Sequence, residues 1–375
     1  MIRKKIAFLT GTRADYGKIK HLITSLDPKF EVSIIATGMH LMESYGYTVK
    51  HLRDDGLARI ETFKNQDLDS TMQEVLANTI LGLSELLKKE KIDLLVIHGD
   101  RVESMAGSIT AALMNIRVAH IEGGEISGTV DNLMRHSISK LSQHHFVTNN
   151  RAAATLRKLG ESDSQIYEIG SPDIDIIESG VIPDISEVRS HYDISFEQYG
   201  ILMFHPITTE LESLDSQMIE ICKAVTSTNF PWVVIQPNND TGSNIVRNRL
   251  QTLKEPKLFK HIKSMRFEYF IGLMQNSLLL LGNSSAGIME APHLGIPSVN
   301  IGTRQRNRFS EEDIPTIINS EANFQSILSA IEQAKNIDVQ PTKSFGDGNA
   351  AKRFNAVLQK EDFWLYPLEK LDADH

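Results

Sequence analysis

"IRVAHIEGGEISGTVDN", residues 116–132, decides the fold. Its first six residues are mostly apolar, and at Glu122 the run gives way to a glycine-studded loop that holds Glu122, Glu125 and Asp131. A short apolar run that stops at such a loop is the mark of a strand buried on both faces, as in parallel sheets. The pattern recurs. Lys5 to Thr10 runs into "GTRADYGK" (11–18), Glu31 to Ala36 into "TGMH" (37–40), and Ile92 to His98 into "GDR" (99–101). Stretches of helical periodicity separate these runs, so the chain reads as α/β, with doubly wound parallel sheets covered by helices on both faces.

Two further strands are expected in the first half, at His145 to Thr148 and Gln165 to Ile169. Four are expected in the second, at Gly200 to Phe204, Trp232 to Gln236, Leu278 to Leu281 and Ser298 to Ile301. A chain of 375 residues exceeds one typical core. The reading divides it into a first domain over 1–175 and a second over 195–350, joined through a proline- and acid-containing linker from Ser171 to Tyr199. Helices over 351–375 are expected to cross back to the first domain.

The formal net charge of -9 comes without a long charged block, which argues against nucleic acid or a membrane surface as the main partner. Met1 to Leu9 starts like a signal peptide, but the apolar stretch ends at Gly11. No run approaches the roughly 18 apolar residues of a membrane span. Cys222 is the only cysteine, so no intrachain disulfide can form, and a reducing, cytoplasmic setting fits.

In open parallel sheets ligands gather outside the carboxyl ends of the strands. Those ends carry Arg13 and His40, Asp100 and Arg101, and the acidic loop in the first half. In the second they carry His205 in "MFHPITTE", Asn238 and Asn239 in "PNNDTG", Ser284, Ser285 and Glu290 in "GNSSAGIMEAP", and Arg304 in "GTRQRNR". Two sheets aiming polar strand ends at one another make a cleft. Arg13, Arg101 and Arg304 suit phosphate, since a guanidinium offers forked donors and stays charged. His205 suits a diphosphate oxygen, and Glu290 could accept from ribose hydroxyls. Ser284 or Ser285 is expected to cap a helix whose backbone amides face an anion. Gly11-Thr12-Arg13 lacks both the dinucleotide fingerprint and the P-loop lysine, which argues against a nicotinamide cofactor and a Walker-type ATPase. Metal-ligand spacings are absent, so no metal is expected. Crowding of Glu122, Glu125 and Asp131 should raise at least one pKa, unless Asp131 merely caps a helix from Asn132 and Glu125 faces solvent.

These blocks, with "HGDR", "GSPD" and "GDGNA", lie in order along nearly the whole chain. Together they resemble the hydrolysing UDP-N-acetylglucosamine 2-epimerases of sialic acid synthesis, bacterial enzymes of capsule formation among them. The resemblance implies a GT-B-like pair of Rossmann-like domains, a UDP-sugar substrate held mainly by the second domain, no cofactor, and a homo-oligomer, dimer or tetramer. It implies Asp100, Glu122 and Asp131 as catalytic acids, with Glu125 a further candidate. The implied reaction turns UDP-N-acetylglucosamine and water into N-acetylmannosamine and UDP. Non-hydrolysing relatives usually carry threonine where this chain has Arg101, which favours hydrolysis. Other readings are a different nucleotide sugar, such as a UDP-linked diacetamido-trideoxy sugar or GDP-N-acetylglucosamine, a non-hydrolysing epimerase, a glycosyltransferase, or a nucleotide-sugar sensor without turnover.

Overall fold

A computed structural model of the chain describes residues 3–128, 130–237, 240–309, 314–337 and 339–370. They form two units. Unit 1 comprises Met1–Glu125, Asp131–Glu178 and Gly346–His375; unit 2 comprises Ile126–Val130 and Ser179–Phe345.

Among the described residues, unit 1 holds seven parallel strands: β1 (Lys5–Thr10), β2 (Glu31–Ala36), β3 (Arg59–Thr62), β4 (Leu94–His98), β5 (Arg117–Ile121), β6 (His144–Val147) and β7 (Ile166–Glu168). Their order is β3-β2-β1-β4-β5-β6-β7, with the reversal of a doubly wound sheet between β1 and β4. Alternation along β1 divides the core between the two faces of the sheet. Ile6 and Phe8 join one apolar cluster, and Ala7 and Leu9 join the other.

Helix boundaries follow from local chemistry. The helix Arg13–Thr24 starts where the Thr12 side chain accepts a hydrogen bond from Asp15 N at 3.1 Å. The helix Met72–Glu90 starts at a reciprocal capping box between Thr71 and Glu74.

The segment from Gly346 onward completes unit 1. Phe354 is fully buried, with its ring 4.7 Å from Phe146 and 6.2 Å from Phe8. Asp175 accepts hydrogen bonds from Ala350 N at 2.8 Å and Ala351 N at 2.6 Å, satisfying donors at the start of the helix Ala350–Leu358. The ring of Phe363 stacks on His144 at 3.8 Å.

Among the described residues, unit 2 holds six parallel strands: β8 (Gly200–Met203), β9 (Trp232–Ile235), β10 (Phe259–Ile262), β11 (Leu280–Gly282), β12 (Ser298–Ile301) and β13 (Ile317–Ser320), in the order β10-β9-β8-β11-β12-β13. Its strand order repeats that of the first six strands of unit 1. Trp232, fully buried, anchors one face with Leu202, Phe204 and Leu281.

The stretch expected as a linker, Ser171 to Tyr199, is instead two packed elements. Pro172–Glu178 is a helix of unit 1, and Ile185–Tyr192 is a helix of unit 2. The second lies so close to Phe267–Gln275 that a Cβ on Gly272 would come within 2.7 Å of Pro183 O and 3.1 Å of the Val188 side chain. That close approach explains why unit 2 starts earlier than residue 195. Edge strands β3, β10 and β13 carry no uniform apolar run and were not among the expected strands.

Three buried imidazoles make the stability of unit 1 pH-dependent. Burial lowers the pKa of His40 to about 4 and those of His120 and His144 to about 3, from 6.5. Below about 6.5 the unfolded chain takes up protons that the folded chain refuses. Stability is therefore at its fullest above pH 6.5 and falls as the pH drops toward 4, by on the order of 3 kcal/mol for His40 alone. Urea unfolding of unit 1 between pH 7.5 and 4.5 should show a midpoint that falls with pH, and a flat midpoint would contradict it.

Candidate active site

The acidic loop of unit 1 is shaped by its glycines. Glu122 follows β5 in a left-handed conformation (φ 60°), held by a hydrogen bond from its N–H to Phe146 O at 2.9 Å. Such a conformation is unfavourable for a non-glycine residue and is retained where surrounding contacts fix it. Next come Gly123, whose Cβ would lie 2.9 Å from His120 Nδ1, and Gly124, whose Cβ would meet Ala152 O at 2.2 Å. The backbone runs against its neighbours here, so larger residues would push the acids out of place.

Glu122 is enclosed, with 4% of its surface exposed. Ser171 Oγ donates to Oε1 at 2.7 Å, His98 Nε2 donates to Oε2 at 3.0 Å, and Lys18 Nζ lies 3.6 Å from Oε2. The same ammonium sits 2.5 Å from Asp173, a carboxylate with 0% exposure. Burial by itself would raise the Glu122 pKa. The charges of Lys18 and His98, with the hydrogen bonds from His98 and Ser171, outweigh burial and hold this carboxyl well below the usual carboxylate range.

The other acids have partners of their own. Asp100 pairs with the Arg135 guanidinium, which also donates from Nη1 to Glu125 O at 3.1 Å. Glu125 is buried and accepts from Thr148 Oγ1, so it does not face solvent. Asp131 lies half-buried in the first turn of the helix Val130–Leu141, where a negative charge suits the helix dipole. It stands inside that helix, not at a cap before Asn132, and one turn from Arg135 on the same face. The expected mutual crowding, with one pKa raised, fails at Glu122. Glu122 and Glu125 accept from donors outside the trio, and for Glu122 these donors decide the direction.

Arg13 opens its helix and contacts His51 Nε2 at 3.2 Å through Nη2. Arg101 Nε lies 3.4 Å from Glu103 Oε2 and 3.9 Å from Asp15 Oδ2. Glu103 is buried beneath two glycines; a Cβ on Gly11 would meet its Cδ at 2.8 Å, and one on Gly38 its Oε1 at 2.7 Å. His40, a candidate ligand contact from the sequence, is placed otherwise. It is fully buried and hydrogen-bonded to Thr10 Oγ1 at 3.0 Å and Thr48 Oγ1 at 2.8 Å, so both ring nitrogens brace the loop after β2.

In unit 2 the remaining candidates cluster at the ends of β8, β11 and β12. His205 and Ser284 are buried, while Ser285 and Arg304 are half-buried. Ser284 caps only a 3-10 turn, Ser285–Gly287, accepting from Ala286 N at 3.3 Å. The helix expected directly after that cap starts only at Glu290 and runs to His293, with Pro292 inside. Glu290 starts that helix 3% exposed, and its Oε2 has no hydrogen-bond partner among the described residues. A buried carboxylate oxygen without a donor is costly, and a ligand hydroxyl would satisfy it. Gly128 N donates to Arg304 O at 2.9 Å, joining the insert Ile126–Val130 to the β12 loop within unit 2. Asn238 and Asn239 lie outside the described residues. Among the described residues no group of His, Cys, Asp and Glu could hold a metal ion, and no helix is long and apolar enough to cross a membrane.

The profile of the family described as UDP-N-acetylglucosamine 2-epimerase matches residues 24–359. The chain belongs to this epimerase family. It is 40% identical to the UDP-N-acetylglucosamine 2-epimerase of Neisseria meningitidis serogroup B over 99% of both chains. It is 33% identical to the hydrolysing UDP-N,N'-diacetylbacillosamine 2-epimerase of Legionella pneumophila over 100% of both. In fold it is similar to the Methanocaldococcus jannaschii UDP-GlcNAc 2-epimerase crystallised with UDP-GlcNAc and UDP, at a TM-score of 0.81 over 94% of this chain and 99% of that one, with 21% identity. The expected GT-B-like class of two parallel α/β sheets stands.

The candidate acids of this epimerase are surrounded by groups that the sequence did not single out. Lys18, His98, Arg135 and Thr148 come from four separate segments of unit 1, and Ser171 and Asp173 from a fifth. "GSPD" was visible as a block without a role; the structure shows Ser171 donating to Glu122 and Asp173 holding Lys18.

Proposed function

We propose that this epimerase hydrolyses its substrate, converting UDP-N-acetylglucosamine and water to N-acetylmannosamine and UDP. The observation that carries the reading is the Glu122 carboxylate, enclosed and kept ionised by Lys18, His98 and Ser171. Two lines support hydrolysis over return of a nucleotide sugar: Arg101 directly after Asp100, and a hydrolysing enzyme among the relatives.

C2 of the sugar is not next to a carbonyl, so its hydrogen is only weakly acidic. As the C1–O bond to UDP breaks, the ring gains oxocarbenium character, the C2 hydrogen becomes acidic, and a carboxylate can take it to leave 2-acetamidoglucal. Water then adds at C1, and a proton returns to C2 from the opposite face. Glu122, already ionised, suits the acceptor. The returned proton comes from Asp100 or Asp131, the two acids that are not fully buried. Arg13, Arg101, His205 and Arg304 offset the charge of the departing diphosphate, and Glu290 takes the ribose hydroxyls. The sequence is redox-neutral and consumes one water.

Incubation with UDP-N-acetylglucosamine in deuterated water should release UDP and N-acetylmannosamine carrying deuterium at C2. Recovery of UDP-N-acetylmannosamine without free UDP would point instead to the non-hydrolysing reaction. The 33% identity to the Legionella enzyme favours a second reading, in which the chemistry is the same and the sugar is a diacetamido-trideoxy one. Parallel incubation with that nucleotide sugar separates the two by the rate of UDP release.

A further inference from the structure

β8 and β11 run side by side, with Gly282 opposite Met203. At Gly282 (φ 142°) the two backbones nearly touch, since a Cβ there would lie 1.9 Å from Met203 O. The next residue, Asn283, is fully buried and continues the pairing with its side chain. Its Oδ1 accepts from His205 N at 2.7 Å, and its Nδ2 donates to His205 O at 2.8 Å. A carboxamide thus satisfies both main-chain groups of His205, as a neighbouring strand residue would. The Asn283 main-chain carbonyl meanwhile accepts from Arg304 Nη1 at 3.2 Å and from Gln305 Nε2 at 2.9 Å, and Gln305 is 1% exposed. One residue therefore fixes the ends of β8, β11 and β12, and its chain neighbour is Ser284.

We propose that Asn283 is the positioning residue of the nucleotide-binding half-site, its carboxamide aligning His205 toward the diphosphate of a nucleoside diphosphate. The assignment rests on the UDP-sugar reading above. Donors aimed at an anion are most effective when their geometry is set before the ligand arrives. Without the carboxamide, His205 loses both anchors of its main chain, and the imidazole loses its direction.

The test is a double-mutant cycle read by UDP binding in calorimetry. Asn283→Ala should raise the Kd for UDP at least tenfold in the otherwise unchanged protein, but less than twofold in a His205→Ala background, because the group it positions is already gone. Equal factors in both backgrounds, or less than twofold in the first, would overturn the proposal. Asn283→Asp keeps the side-chain volume and the acceptor for His205 N while losing the donor. If Asn283→Ala does not fold, the cycle with Asp decides by the same criterion, since any direct effect of the added charge is common to both backgrounds. Failure of the unsubstituted protein to bind UDP at all is a different result, and it overturns the nucleotide reading itself.

Discussion

Glu122→Gln should lower kcat by about 10² to 10⁴, the range that positioned acid-base groups contribute, while the Kd for UDP stays within about twofold. Glutamine preserves the shape and can still accept from Ser171, but it presents an amide where Lys18 and His98 now face a charge. The neutral amide can neither take up the C2 proton nor oppose the positive charge that develops on the ring. UDP binding is assigned to other residues, so it reports separately that the protein remains folded and loaded. A kcat within threefold of the parent would remove Glu122 from the reaction, and a parallel loss of UDP affinity would make its role structural.

Lys18→Met should produce the largest loss of stability. The ammonium, with only 13% of its side chain exposed, serves Glu122 and Asp173 together. Removing it leaves two buried carboxylates facing each other without their cation. Breaking a buried pair from one side costs about 3–5 kcal/mol. For a unit of this size that is a fall of roughly 6–20 °C in its transition temperature. Hydrogen exchange should show protection lost in β4 and β5 but kept in β8 and β9. The deficit should narrow near pH 5. With the cation gone, the buried carboxyls have pKa values raised above those of the unfolded chain, so the folded variant binds the extra proton and gains stability as pH falls. A loss below about 1 kcal/mol would mean that Lys18 contributes little to the packing of the acids.

The central strands were legible because burial on both faces favours apolar residues on both: β1, β2, β4 and β5 are mostly apolar, with polar residues chiefly at their ends. The edge strands lack that constraint. β3 reads Arg-Ile-Glu-Thr, with polar residues at its exposed ends, and blends into its surroundings. In the site, the residue types at strand ends were legible, while their pairings were not. Glu122 draws on residues 18, 98 and 171, and no spacing rule connects positions so far apart in the chain. His40 was misread for the same reason. A polar residue at a strand end looks alike whether it points to a ligand or is tied by Thr10 and Thr48. The turn after β11 reads as a helix start because Ser-Ser-Ala-Gly fits a cap, but Pro292 has no N–H to offer Ile288 O, which separates the 3-10 turn from the short helix, and Gly295 (φ 72°) turns the chain just after it.

Phe354, wedged beside Phe8 and Phe146, carries a consequence for biosynthesis. Residues 346–370 leave the ribosome only after all of unit 2 has been translated, so unit 2 can collapse while the seven-stranded sheet still lacks the helix that seals one of its faces. During that interval Phe8 and Phe146 stay uncovered, which makes the nascent chain most prone to sticking at the moment its second half is already complete.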